Sequence, residues 1–377
     1  MSKANSSRIF GLDVARLLAM LMMVQGHTVY CLLTSGIVDS DIWYWHLWTA
    51  IRGYTAPIFL MVSGAVHIFA NKRDENGIVP NATTKRRIKT CLMLFAVGYL
   101  LQFPANNLFD LPFLNYETLA SFLKVNVLQL FAVTLIFLNI LFKLTNSNKQ
   151  LATICFIVGN ALILASQFSL QVDWYKHLPI PFAAFFSMSK GTIFPIMPFS
   201  GYLLIGSAMG YLIQRVQPEK RNAYIVKNLF LIGLPYIVIG HLFGSLYGTY
   251  GHNVLGSPSI QLGLSIGRVG VAMWVISFST LVCNALSSWE NIISMLSKRS
   301  LLIYVIHLLI IYGSPITPGL RHFFFNVNAA TAFYCAFFVI FFSILIVYLY
   351  DTSNKNIAAN YFYKYVIVAL LIYMLLI

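Results

Sequence analysis

The sequence predicts an all-α, polytopic integral membrane protein of about eleven transmembrane helices (10–11) with a cytoplasmic N-terminus. Three observations lead there. Of 377 residues, 59% are apolar and 10% charged, against roughly 45–50% and about 25% in soluble proteins. The mean hydropathy is +0.76, too high for a water-soluble chain of this size. Apolar runs of spanning length, about 20 residues, recur along the whole chain between polar or Pro/Gly-rich breaks. An ordinary cytoplasmic enzyme is thereby excluded.

The runs lie near 9–33, 51–70, 90–104, 125–143, 151–168, 192–213, 225–247, 260–286, 300–314, 329–350 and 361–377. The first follows Lys3 and Arg8 as a signal peptide would. It contains Asp13, Arg16, Gln25 and His27 and lacks a small-residue cleavage site, so it reads as a retained helix. A basic loop follows the second run, at about 71–89. One domain is expected over 1–377, with a core at about 9–314 and additional helices at about 329–377. Gly240, Gly244 and Gly248, Gly206 with Gly210, and Gly263 with Gly267 place small residues one helical turn apart, a spacing that lets backbones approach.

The net charge is +14. Lys72, Arg73, Lys85, Arg86, Arg87, Lys89, Arg215, Lys220, Arg221, Lys298 and Arg299 fall on one side of the predicted bilayer. The other side receives Arg52, Lys124, Lys176, Lys190, Arg268 and Arg321. That asymmetry follows the positive-inside rule and sets the orientation. Basic residues are not interleaved with aromatics in a polar segment, so nucleic acid is excluded as a partner. The five cysteines stand singly in apolar stretches, and no Cys/His cluster has metal-ligand spacing. No metal is expected.

Ionisable residues inside a membrane are costly and mark function. In the first helix, eleven steps of about 100° from Arg16 to His27 bring both to one face, roughly 16 Å apart along the axis. Asp13 precedes Arg16 by three residues, where the two can pair. The bland reading makes the pair an interfacial anchor and His27 a core histidine. Their alignment on one stripe favours function. His46 sits within the aromatic run Trp43-Tyr44-Trp45-His46-Leu47-Trp48, itself an interfacial belt, and is equally a surface residue or a proton-transfer group. Ser63-Gly64 offers a small surface on the second helix, and Tyr304 and His307 share one face of the ninth. Arg86 and Arg87 in the basic loop suit the phosphates of a nucleotide-like donor, although such a loop is usually only solvated.

Arg16 and His27 also match the R-x10-H pattern of the acyltransferase-three family, and Arg8-Ile9-Phe10-Gly11-Leu12-Asp13-Val14 resembles its opening segment. Phe59 to Gly64 and Leu301 to His307 are similar to its second-helix and late Tyr/His segments. The heparan-alpha-glucosaminide N-acetyltransferase type is echoed in His46 with Trp48 before Pro57, in Asn126-Val127-Leu128-Gln129 and in Gly201 to Gly206. Two residues depart from the pattern. The Arg-Gly pair common to both families is Arg16-Leu17 here, and the heparan type tends to carry Asn where this chain has His27. Both histidines therefore stand as candidates for the chief catalytic group.

The resemblance implies transfer of an acyl group, usually acetyl, from cytoplasmic acyl-CoA to a hydroxyl or amine of an extracytoplasmic carbohydrate or glycolipid. It implies His27 and His46 as catalytic, Arg16, Asp13, Arg86 and Arg87 as donor-binding, and Ser63, Tyr304 and His307 as lining residues. Acetyl-CoA, the acceptor and the lipid bilayer are the expected partners, and the glycine stripes also suit a homo-oligomer. The expected location is the inner membrane of a bacterial cell. A transporter or flippase for a lipid-linked sugar or polar solute is the rival, although its paired repeats and matching broken helices are not evident. An inactive relative serving an envelope complex fits Arg16-Leu17.

Overall fold

A computed structural model describes residues 8–37, 42–104, 112–250, 258–313 and 318–353. In chain order the helices are α1 (Phe10–Leu32), α2 (Trp43–Arg52), α3 (Thr55–Ala70), α4 (Asn81–Leu100), α5 (Tyr116–Phe122), α6 (Val127–Leu144) and α7 (Asn148–Ser169). The short α8 (Trp174–His177) and α9 (Ile180–Ala183) lead into α10 (Ile196–Gln214). Next come α11 (Arg221–Tyr224), a π-helical stretch over Ile225–Leu229, α12 (Phe230–Tyr250) and α13 (Pro258–Leu281). The last are α14 (Glu290–Lys298), α15 (Ser300–Tyr312), α16 (Leu320–Phe323) and α17 (Ala329–Ser353). Among the described residues the extended structure amounts to isolated bridges such as Leu33 to Val327.

Eight helical stretches among the described residues are long and apolar enough to cross a membrane. The α14–α15 pair, bent by 69°, makes a ninth if it counts as one span. The run at 361–377 lies outside the described residues. The chain is thus an all-α, multi-pass integral membrane protein. The run at 51–70 reaches back further than expected, because α2 and α3 together form a stretch from Trp43 to Ala70. The basic loop needs a sharper correction. Only 71–80 is loop, and Lys85, Arg86, Arg87 and Lys89 ride the first turns of α4. Straight-chain basic residues are good helix formers, and Pro80 at the N-cap sets the helix start.

The chain divides into two compact units. The first comprises Met1–Arg16, Ala56–Gln102 and Glu117–Ser287, and the second Leu17–Thr55, Phe103–Tyr116 and Ser288–Ile377. Local signals start the helices of the first unit. Asn126 and Gln129 form a capping box at α6, and the Ser147 hydroxyl accepts from the Gln150 N–H at α7. Glycines then let these helices touch backbone to backbone. A Cβ on Gly240 would sit 2.6 Å from the Gly263 carbonyl oxygen and 2.6 Å from the Gly267 nitrogen, which locks α12 against α13. Gly206 lies on the backbone of Met61 and Gly210 on that of Ala65, fixing α10 on α3. Gly159 and Gly201 make the same contact between α7 and α10. The packing role read from the spacing is borne out at these positions.

The 71–80 loop is tied down by Arg73. Its Nε donates to Asn148 Oδ1 at 2.8 Å, and its terminal nitrogens donate to the carbonyls of Gly77, Phe142 and Thr145 and to Thr145 Oγ1. The Phe142 and Thr145 carbonyls sit at the end of α6, where the helix leaves its acceptors unpaired. Partial burial pushes the guanidinium below its usual range, yet five oxygens hold it. Arg73→Ala is expected to cost roughly 1–3 kcal/mol, read as a lower melting temperature in detergent. Arg73→Lys recovers only part, because a point ammonium cannot span that fan of acceptors.

The second unit is built on the C-terminal part of α1 with α2 and α17. Val29, Leu32, Leu33, Trp45, Ala332, Cys335 and Ala336 form its core. Trp45 stacks on Phe333 and meets Trp48 edge-on. Arg299, at the α14–α15 junction, donates to Asp351 near the end of α17 at 2.8–2.9 Å.

Candidate active site

In the second unit, α1 and α15 bring two histidines together. His27 Nδ1 lies 3.3 Å from His307 Nε2, and the ring centroids are 5.4 Å apart. His307 is fully buried, and its other nitrogen, Nδ1, lies 3.2 Å from the Ile303 carbonyl oxygen one turn earlier. Tyr304, also buried, meets the His307 ring edge-on at 5.2 Å. His27 is only partly buried, so the pair has one covered member and one that can be approached. Tyr304 and His307, expected as lining residues, thus stand against the residue expected to be catalytic.

Around His27 the unit supplies a cation on an aromatic bed. Arg52 from α2 lies 4.3 Å over the Tyr30 ring and 4.9 Å over that of Trp48. The stem of Arg52 crosses α1 at Gly26, where an added Cβ would come 2.9 Å from its Cγ. Trp48 Nε1 donates to Gln25 Oε1 at 3.3 Å. Arg52 entered the sequence reading only as one of the outer charges. The signal that marks it is the i,i+4 step from Trp48, which stacks the two side chains on one helix face.

His46 takes a different position. It is exposed on α2, whereas its neighbour Trp45 points into the core. Among the described residues no hydrogen bond or ring contact joins His46 to the histidine pair.

In the first unit the N-terminal end of α1 carries the other charged groups. The Asp13 carboxylate accepts from Arg8 Nε, an ion pair with the residue just ahead of the helix. The expected Asp13–Arg16 pairing is replaced by this one. Arg16 is partly buried and feels the Asp13 charge, but its buried Nε has no partner among the described residues. A buried guanidinium N–H left unsatisfied is expensive and marks a place for an acceptor.

Ser63 is buried on α3 beside Gly64, whose Cα packs against the α10 backbone at Leu203. At the C-terminal end of α3, His67 is buried, packs against the Phe142 ring, and its Nε2 lacks a partner among the described residues. Arg87 donates to Asn71 Oδ1 and to the Ala70 carbonyl, so it braces the loop, and Arg86 beside it is exposed. Among the described residues no three His, Cys, Asp or Glu side chains converge as a metal site would require.

The catalytic domain family of heparan-alpha-glucosaminide N-acetyltransferase matches residues 8–242, which is more than half of the chain and includes Arg16, His27, His46 and Arg52. No curated protein and no solved structure matches. His307, which completes the histidine pair, lies beyond the matched segment. With the multi-pass helical fold and this match together, the chain belongs to the heparan-alpha-glucosaminide N-acetyltransferase catalytic family of membrane proteins.

Proposed function

We propose that the protein is an acetyltransferase that moves an acetyl group from cytoplasmic acetyl-CoA to a hydroxyl or amine of an extracytoplasmic carbohydrate or glycolipid. The observation that carries this reading is the His27–His307 pair: a partly accessible imidazole on α1, backed by a buried one. That arrangement gives this chain a general base at a position where the heparan type tends to carry Asn.

The chemistry asks little of the rest of the protein. The acceptor oxygen or nitrogen attacks the thioester carbonyl carbon, and His27 takes the proton that the acceptor loses. The C–S bond breaks as the tetrahedral intermediate collapses. The departing thiolate recovers that proton from His27, so the products are the acetylated acceptor and free CoA. Arg16 fits the donor because its buried Nε awaits an acceptor such as an amide carbonyl or phosphate oxygen. Asp13, held by Arg8, supports it electrostatically. Arg86 is free to meet nucleotide phosphates, with Arg87 beside it. Arg16 and His27 lie on one unbroken helix, α1. Tyr304 lines the site at the pair, and Ser63 is the candidate lining residue on α3. This reading gives exposed His46 no step.

The test supplies purified protein in lipid with acetyl-CoA and a panel of amino sugars, sugar alcohols and glycolipids, and follows free thiol. Acceptor-dependent thiol release by the wild-type protein is the expected result. Solute flux in proteoliposomes with no thiol release from any acceptor overturns the proposal in favour of transport.

A further inference from the structure

The two hydrogen bonds at His307 constrain more than its own position. A carbonyl oxygen can only accept, so the contact between His307 Nδ1 and the Ile303 carbonyl requires the proton on Nδ1. A neutral imidazole protonated there has a lone pair on Nε2. His307 Nε2 then accepts, and the group facing it, His27 Nδ1, must donate. One proton remains to each ring, so His27 Nε2 is left with a lone pair. The alternative, an imidazolium at His307, would place a charge at a fully buried position with no carboxylate in the pair, which burial penalises heavily.

From this chain of bonds we infer that His307 is the positioning residue of the reaction: it locks His27 in the Nδ1–H tautomer, which makes His27 Nε2 the atom that takes the acceptor's proton. The inference rests on the reading of His27 as the base and adds which atom acts and what sets it. The backbone carbonyl of Ile303 does for His307 what a carboxylate does for the histidine of a hydrolase triad, where the partner fixes tautomer and orientation. Tyr304 against the His307 ring restricts rotation, which would otherwise exchange the two nitrogens. Once His27 Nε2 has taken a proton, the resulting imidazolium keeps its Nδ1–H bond to His307, so the pairing serves both states of the cycle.

The test has one readout that needs no turnover. In protein labelled with 13C,15N-histidine and held in lipid, the ring shifts of His27, assigned by their loss in His27→Asn, report its tautomer. The wild type is expected to show Nδ1–H. In His307→Leu the acceptor is gone, and His27 is expected to drift to a mixture. Kinetically, His307→Leu is expected to lower kcat about 10²-fold with KM for acetyl-CoA nearly unchanged. His307→Gln, whose side-chain carbonyl can accept from His27 Nδ1, is expected to recover most of that loss. An Nε2–H tautomer in the wild type overturns the inference, as does full kcat in His307→Leu. Should the leucine variant fail to fold, the wild-type tautomer and the glutamine variant still decide. If the wild type releases no thiol, the acetyltransferase reading fails, while the tautomer readout still judges the lock.

Discussion

Replacing His27 with alanine is expected to lower kcat for acetyl transfer by about 10²–10⁴-fold, the usual worth of a positioned general base. The protein should still assemble, because His27 is only partly buried. Alanine nevertheless strands the buried His307 Nε2 without its partner, at a cost of about 1–3 kcal/mol. His27→Asn separates the two effects. An asparagine amide reaches the position of Nδ1 and can still donate to His307, but it places nothing at Nε2. The expected outcome is a variant that melts close to wild type, binds acetyl-CoA, and releases thiol at the alanine variant's rate. An asparagine variant with the wild-type rate would move the base elsewhere, with His46 the first group to examine.

The largest structural effect is expected at Gly206. Its Cα lies on the backbone of Met61, so a side chain there meets main-chain atoms that cannot rotate away. Overpacking a core usually costs about 1–3 kcal/mol through side-chain adjustment. Gly206→Leu requires α10 to lift off α3 and should exceed that range. Loss of the monodisperse peak on detergent extraction is the expected readout, with Gly206→Ala intermediate. Gly267→Ala is the control, because a Cβ there meets nothing within 4 Å. That change should be neutral or stabilising, since alanine favours helix over glycine by about 1 kcal/mol. A Gly206→Leu protein that extracts and melts like wild type would sink the argument.

The sequence was most legible where one-dimensional signals suffice. The first run, expected at 9–33, is α1 at Phe10–Leu32, because an apolar run of spanning length with no proline defines a span despite its few ionisable residues. Glycine spacing likewise pointed to contacts that exist at Gly206, Gly210, Gly240 and Gly263. The start of α4 was misplaced because charge patterning marks cytoplasmic exposure, not loss of helix, so Lys85 to Lys89 read as loop. The 43–52 aromatics read as a belt at the end of a span; they form the helix α2, which continues with α3 as one spanning stretch from Trp43 to Ala70.

The site divided the same way. Arg16 and His27 were found because helical periodicity relates residues within one element. The partnership of His27 with His307 was not, since 280 residues separate them and nothing local encodes which two helices meet. Asp13 shows the opposite failure. The i,i+3 rule offered Arg16, but Arg8 ahead of the helix takes the carboxylate, and the buried Arg16 Nε has no partner among the described residues.

The hydrogen-bond chain from His27 through His307 stops at a main-chain carbonyl, a group too weakly basic to carry a proton onward. For traffic of hydrogen ions the pair is therefore a cul-de-sac with a single mouth at His27. Under the proposed mechanism, a proton lifted from the recipient stays on His27, where the departing sulfur reclaims it. The proposed turnover is then self-contained in acid and base: the proton taken from the acceptor is the one returned to the thiol.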